Sequence, residues 1–166
     1  MLGFSLGGAV TLELAGAMPD WPHLAAYCGA HPDDEMSCNH APRGPHGTGR
    51  PAVPPPLPLK AIVLLDPFAV PFQRDGLAAV TMPALLFRPE QSALPADGNA
   101  AALATALPHP PRYETLPGGH FVFTDVCAPA LLEIEPAVCR DPPGADRAAI
   151  HLDIETKIAA FFRDSL

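Results

Sequence analysis

The six residues Gly3-Phe4-Ser5-Leu6-Gly7-Gly8 decide how the rest of the chain is read. The first five fit the pattern G-x-S-x-G, in which a serine is held on a sharp turn from a strand into a helix. The glycines have a physical task in such a turn. Strand and helix backbones approach so closely that a Cβ two residues either side of the serine is expected to clash, and positive φ is common nearby. Residues 9–18 continue as a helix with small residues in its first turn, as close packing on a sheet requires. Ser5 then stands at the helix N-terminus, with the Leu6 amide directed to where negative charge would develop on a substrate oxygen. Three fixed positions recur by chance in a chain with 13 glycines, so the residues downstream must carry the weight.

Residues 59–65 carry the unbroken apolar run Ala61-Ile62-Val63-Leu64-Leu65, which reads as a parallel strand buried on both faces. The run ends in Asp66-Pro67, placing a carboxylate at the C-terminal edge of the sheet, where ligands bind in open α/β folds. Another strand is expected over 81–87, with Pro83 at its start, and Arg88-Pro89-Glu90-Gln91 is expected to leave the sheet. An alanine-rich helix over 99–107 follows, then a short strand over 112–117, after which Gly118-Gly119 turn the chain to present His120. A closing helix over 148–166 places Ile150, Ile154, Ile158 and Phe161 on one face. This alternation predicts an α/β architecture, a mostly parallel sheet with helices on both faces.

Ser5, Asp66 and His120 would each follow a strand, in that order along the chain. A serine hydroxyl is a poor nucleophile until a histidine removes its proton, and a buried carboxylate holds that imidazole in the right tautomer and stabilises its charged form. Each residue alone has a commoner structural explanation. The ordered set on strand ends points to nucleophilic acyl transfer.

With these residues in hand, the chain resembles a known family. Gly3-Phe4-Ser5-Leu6-Gly7-Gly8, Leu65-Asp66-Pro67, Tyr113-Glu114-Thr115-Leu116-Pro117 and Gly119-His120-Phe121 together look like the bacterial predicted dienelactone-hydrolase-like family, itself similar to platelet-activating factor acetylhydrolases and polyester-cleaving lipases. The likeness runs through most of the chain apart from residues 39–58. It implies an α/β-hydrolase fold and hydrolysis of small-molecule or lipid-like carboxylic esters through a serine acyl-enzyme, without a cofactor. Ser5 would be the nucleophile, His120 the general base, Asp66 its orienting acid, and Leu6 the donor of one oxyanion amide. Many α/β-hydrolases place the acid after the next strand, where this chain reads Arg88-Pro89-Glu90-Gln91-Ser92 with no Asp, so Asp66 is chosen and Asp97 and Glu90 are held in reserve. A lactone or amide substrate, and a hydrolase-like scaffold without activity, stay open beside the ester reading.

Composition bounds the rest. A length of 166 residues with 48% hydrophobic content is one domain with enough apolar side chains for a core. A net charge of −8 with ten basic residues argues against a nucleic-acid surface, and no apolar stretch approaches a transmembrane segment. Cys28, Cys38, Cys127 and Cys139 form two local pairs, which permits two short-loop disulfides and a periplasmic or secreted setting; four reduced cysteines in a cytoplasmic protein is the competing reading. No metal site is expected: neither cysteine spacing is C-x-x-C, and His31, Asp33, Asp34 and Glu35 beside Pro32 read as a solvated turn. Pro19-Asp20-Trp21-Pro22 is read as a break, residues 28–38 as a cysteine-bearing loop, and residues 127–146 as a long loop that the second cysteine pair could pin. Residues 39–58, rich in Pro and Gly, read as an irregular insertion in which His40 and His46 are solvated. Because only Met1 and Leu2 precede the elbow, the chain is expected to be the C-terminal half of a longer domain. It would then lack the second oxyanion donor, and would fold poorly and show little activity by itself.

Overall fold

The computed structural model describes residues 1–39 and 55–166. Within them, four parallel strands form one sheet in the order β1 (Leu2–Phe4), β2 (Ile62–Leu65), β3 (Ala84–Gln91) and β4 (Arg112–Gly119). The strands alternate with α1 (Leu6–Leu14), α2 (Trp21–Ala30), α3 (Glu35–Cys38) and α4 (Ala100–Ala106), and the chain ends in α5 (Pro129–Ile134), α6 (Pro136–Cys139) and α7 (Arg147–Ser165). The expected α/β class is therefore present as a parallel sheet with helices on both faces. None of the described helices is long and apolar enough to cross a membrane.

Strand alternation divides the core into two layers. Ile62 and Leu64 of β2 and Ala84 and Leu86 of β3 point to the side covered by α1, α2 and α4, meeting Leu12, Leu24 and Leu103. Val63 and Leu65, with Leu85 and Phe87, point to the other side, where α7 brings Ile150, Ile154 and Phe161. All four residues of β2 are buried, which is why the run is apolar without alternation.

Several boundaries differ from expectation, each for a local reason. α1 stops at Leu14 because Gly16 adopts φ 103°, and the amides of Gly16 and Ala17 fold back onto the carbonyls of Glu13 and Leu12. The segment expected as a break, Pro19 to Pro22, instead starts α2: the Asp20 carboxylate accepts from the His23 amide at 2.9 Å, and Pro22 lies in the first turn, where its missing N–H costs nothing. β3 does not end at Phe87 but runs on to Gln91. β2 stops opposite Phe87, so beyond it β3 pairs only with β4, and Pro89 is tolerated beside an irregularity between Pro89 and Gln91. β4 likewise includes Gly118 and Gly119. Residues 40–54, which hold His40, His46 and most of the expected insertion, lie outside the described residues.

Both local cysteine pairs are joined. Cys28 on α2 is bonded to Cys38 on α3, and Cys127 to Cys139 at the end of α6. Residues 28–38 are thus mostly helical rather than a loop. Among the described residues no group of three or more His, Cys, Asp or Glu side chains could hold a metal ion. Asp34 instead caps α3, accepting from the Ser37 amide at 3.0 Å and from the Tyr27 hydroxyl at 2.7 Å, while the Tyr27 ring stacks on His31. Burial pushes the Asp34 carboxyl up, but the Ser37 amide, the Tyr27 hydroxyl and the neighbouring His31 outweigh it and leave the group below its usual 3.8. A lowered carboxyl contributes stability above its ordinary value that is lost as pH falls through the lowered one. Asp34→Asn is therefore expected to lower the thermal midpoint at pH 7, with the difference from wild type shrinking only as pH falls below 3.8 in a melting series; a difference that shrinks already above that value, or never shrinks in acid, would refute the assignment.

Residues 127–146, expected as a loop, carry α5 and α6 and are tied to α7 by a buried arginine. Arg147, 6% exposed, donates through Nε and Nη2 to both oxygens of Asp141, through Nη2 to the Val138 carbonyl, and through Nη1 to Thr124 Oγ1 and the Asp125 carbonyl. One turn on, His151 Nε2 bonds the Val122 carbonyl at 2.7 Å. The N-terminal half of α7 therefore holds the short 3-10 turn His120–Phe123 from behind.

Candidate active site

Ser5 is the N-cap residue of α1, yet its hydroxyl does not cap the helix. Its backbone lies at φ 51°, ψ −119°, and its amide remains tied to the Leu65 carbonyl at 3.1 Å, while its own carbonyl accepts from Gly8, Ala9 and Phe68. The strand-to-helix turn is thus fixed on both sides and the side chain is turned away from the helix. There Ser5 Oγ meets His120 Nε2 at 3.0 Å. On the other side of the ring, His120 Nδ1 lies 2.7 Å from Asp66 Oδ2. The Asp66 and His120 side chains are 0% and 2% exposed, so the pair is screened from water. A carboxylate only accepts, so Nδ1 carries the ring proton and Nε2 offers a lone pair to the serine hydroxyl.

The three side chains expected to act together are thus brought into one hydrogen-bonded line from three strand ends. The parallel register places them: Phe4 is opposite Leu65 and Leu65 opposite Phe87, so the residues leaving β1 and β2 emerge side by side. Among the described residues, the non-glycine residues with positive φ are Ser5 and Asp66, the latter at 37°. Strained backbone persists where the surroundings over-determine it, and here it falls on the two residues that flank the imidazole. Aromatic rings confine that imidazole. Phe4 lies 4.9 Å from it, centroid to centroid, and Phe121 5.1 Å away nearly edge-on.

The glycines of the turn divide differently from expectation. A Cβ on Gly3 would run into the Gly7 carbonyl and Thr11 Oγ1, but a Cβ on Gly7 would meet nothing within 4 Å. The second crowded position is Gly8, where a Cβ would come 2.6 Å from Pro67 Cβ. Helix and strand press together at Gly3, and the helix presses on the chain leaving β2 at Gly8. Gly7→Ala is expected to leave the melting temperature unchanged or raise it, since alanine favours helix by up to about 1 kcal/mol. Gly3→Ala is expected to cost about 1 to 3 kcal/mol through overpacking; equal effects in thermal melts would contradict this division.

Comparison of the chain with protein-family models, with curated proteins and with solved structures finds no match. The site therefore rests on its own geometry.

Leu6 is the first residue of α1, and the Leu6 and Gly7 amides precede the first hydrogen bond of the helix, Gly8 to Ser5. Of the reserve acids, Glu90 is exposed on β3, and the side chain of Asp97 lies outside the described residues. The residue that sequence reasoning misses is Ser92. Its Oγ lies 2.7 Å from Asp66 Oδ2 and 3.0 Å from Oδ1, just past the end of β3. Only a hydroxyl next to a turn-forming Leu94-Pro95 marks it in the sequence, and that signal fits most surface serines. An open cavity of about 430 Å³ lies elsewhere, between Phe72, Arg74 and Thr105, and none of Ser5, Asp66 or His120 lines it.

Proposed function

We propose that this chain is a serine hydrolase of the α/β-hydrolase fold that cleaves carboxylic esters through an acyl-enzyme, as its resemblance to the dienelactone-hydrolase-like family implies. The observation that carries the reading is the line Ser5 Oγ, His120 Nε2, His120 Nδ1, Asp66 Oδ2, with separations of 3.0 and 2.7 Å. In this reading Ser5 Oγ attacks the ester carbonyl carbon as His120 Nε2 takes the hydroxyl proton. The carbonyl oxygen becomes an oxyanion that accepts from the Leu6 amide. His120 then returns the proton to the departing alkoxide, the carbon–oxygen bond of the ester breaks, and the acyl group stays on Ser5. Water, deprotonated by the same imidazole, releases the acid and restores the serine. Asp66 stays ionised throughout and holds the imidazolium that forms twice per cycle.

In this reading an apolar acyl group would lie against the exposed start of α1. Leu6, next to the nucleophile, is 45% exposed, and Val10, one turn further along the same face of α1, is 51% exposed. Such side chains can cover a small or lipid-like ester without specific polar recognition. A fluorophosphonate probe tests the reaction class: labelling of the wild-type chain that is absent in Ser5→Ala is the expected result. A folded wild-type chain that resists the probe, or labelling that persists in Ser5→Ala, would overturn the proposal. A series of p-nitrophenyl esters of increasing acyl length, set against lactones and amides, then ranks the substrates.

A further inference from the structure

Asp66 sits at φ 37°, outside regular strand geometry, so β2 alone does not dictate where its carboxylate points. Something else must hold it against His120. Ser92 is placed to do so, and the direction of its hydrogen bonds can be worked out. A hydroxyl has one proton to give and two lone pairs. The Leu94 amide can only donate, and it points at Ser92 Oγ from 3.1 Å, so it occupies a lone pair. The Ser92 proton is left for Asp66, with Oδ2 at 2.7 Å and Oδ1 at 3.0 Å. Oδ2 is also the oxygen that faces His120 Nδ1 at 2.7 Å, so one carboxylate oxygen is fixed by two donors.

The turn that carries Ser92 is itself anchored. Asn99, fully buried, caps α4 by accepting from the Ala101 amide at 2.8 Å, and its amide nitrogen donates to the Leu94 carbonyl at 3.3 Å. The order of donors is therefore set from the start of α4 to the serine of the elbow: Leu94 N–H to Ser92, Ser92 O–H to Asp66, His120 Nδ1–H to Asp66, and Ser5 O–H to His120. With both donors on Oδ2, the carboxylate stays an acceptor and the imidazole is held with Nε2 free of its proton.

We propose that Ser92 is a positioning residue for the acid, fixing the Asp66 carboxylate in the orientation that sets the His120 tautomer. This inference rests on the reading of Ser5, His120 and Asp66 as nucleophile, base and acid. Its test compares Ser92→Ala, Ser92→Cys and Ser92→Thr in p-nitrophenyl acetate hydrolysis, together with the proton NMR signal of His120 Nδ1–H. Losing one hydrogen bond to a charged group should lower kcat by about tenfold or more in Ser92→Ala. KM should stay within about twofold, because Ser92 meets Asp66 and not the substrate. Ser92→Cys, a weak donor of similar shape, should fall in kcat as well, and carries the test if the alanine variant does not fold. Ser92→Thr keeps the hydroxyl and should recover most of the rate. The Nδ1–H signal should broaden or vanish in the alanine and cysteine variants and persist in the threonine variant. Wild-type kcat and an unchanged signal in the folded alanine or cysteine variant would overturn the proposal, as would a threonine variant as impaired as alanine. If Ser5→Ala hydrolyses the ester as fast as wild type, the hydrolase reading fails, while the NMR signal still reports whether Ser92 orders the imidazole.

Discussion

If the chain hydrolyses esters as proposed, replacing Ser5 with alanine is expected to lower kcat for p-nitrophenyl acetate by a factor on the order of 10⁵ to 10⁶. His120→Ala should lose about as much, and the double variant no more than either single one. The reason is that neither group acts alone. Without the imidazole, the Ser5 hydroxyl keeps its proton; without the hydroxyl, the imidazole at 3.0 Å has no attached nucleophile to activate. Free energies lost by groups that act as one unit therefore do not add. Asp66→Asn is expected to be slower by about 10⁴, since an amide can present N–H to Nδ1 and so favour the wrong tautomer. Glu90→Gln and Asp97→Asn should stay close to wild type. Additive losses at Ser5 and His120, or an Asp66→Asn variant of wild-type rate, would remove the basis for the proposed mechanism.

Arg147→Ala is expected to have the largest effect on stability, about 3 to 5 kcal/mol. The side chain is 5% exposed and its partner Asp141 13%, so truncation strands a nearly buried carboxylate. It also leaves the Val138 and Asp125 carbonyls without their donor. For a chain of this length the loss corresponds to a fall of roughly 10 °C or more in the thermal midpoint. The pairing of cost with cause can be separated by Arg147→Met with Asp141→Leu. Removing both charges together should restore part of the stability, because the stranded carboxylate is gone. A single Arg147→Ala variant that melts within a degree or two of wild type would show that the network carries little. The same variant should lose activity on warming before it unfolds, since Thr124 and Asp125 come directly after the turn that bears His120.

How much can be read from the chain alone depends on how local each signal is. The apolar run at 61–65, the glycine-flanked Ser5 and the i, i+4 apolar spacing of the last helix are patterns within one element, and each element forms close to where it is expected. The boundaries that differ are set by contacts across elements. β3 passes through Pro89 only because β2 has already ended, and α2 begins at Trp21, capped by Asp20, although Pro19 and Pro22 suggest a break. From sequence, Gly7 looks required and Gly8 incidental, because the crowding that distinguishes them comes from Pro67, far away along the chain.

That Ser5, Asp66 and His120 each follow a strand is legible because strand positions come from pattern, and pattern is a property of neighbours in the chain. Distance is what the sequence does not supply. That the Asp66 carboxylate reaches Nδ1, that Ser92 rather than another acid stands beyond β3 beside it, and that Arg147 braces the histidine turn from α7 all depend on side chains separated by 22 to 54 positions. Such contacts are decided by sheet register and helix packing, and only the tertiary structure sets those.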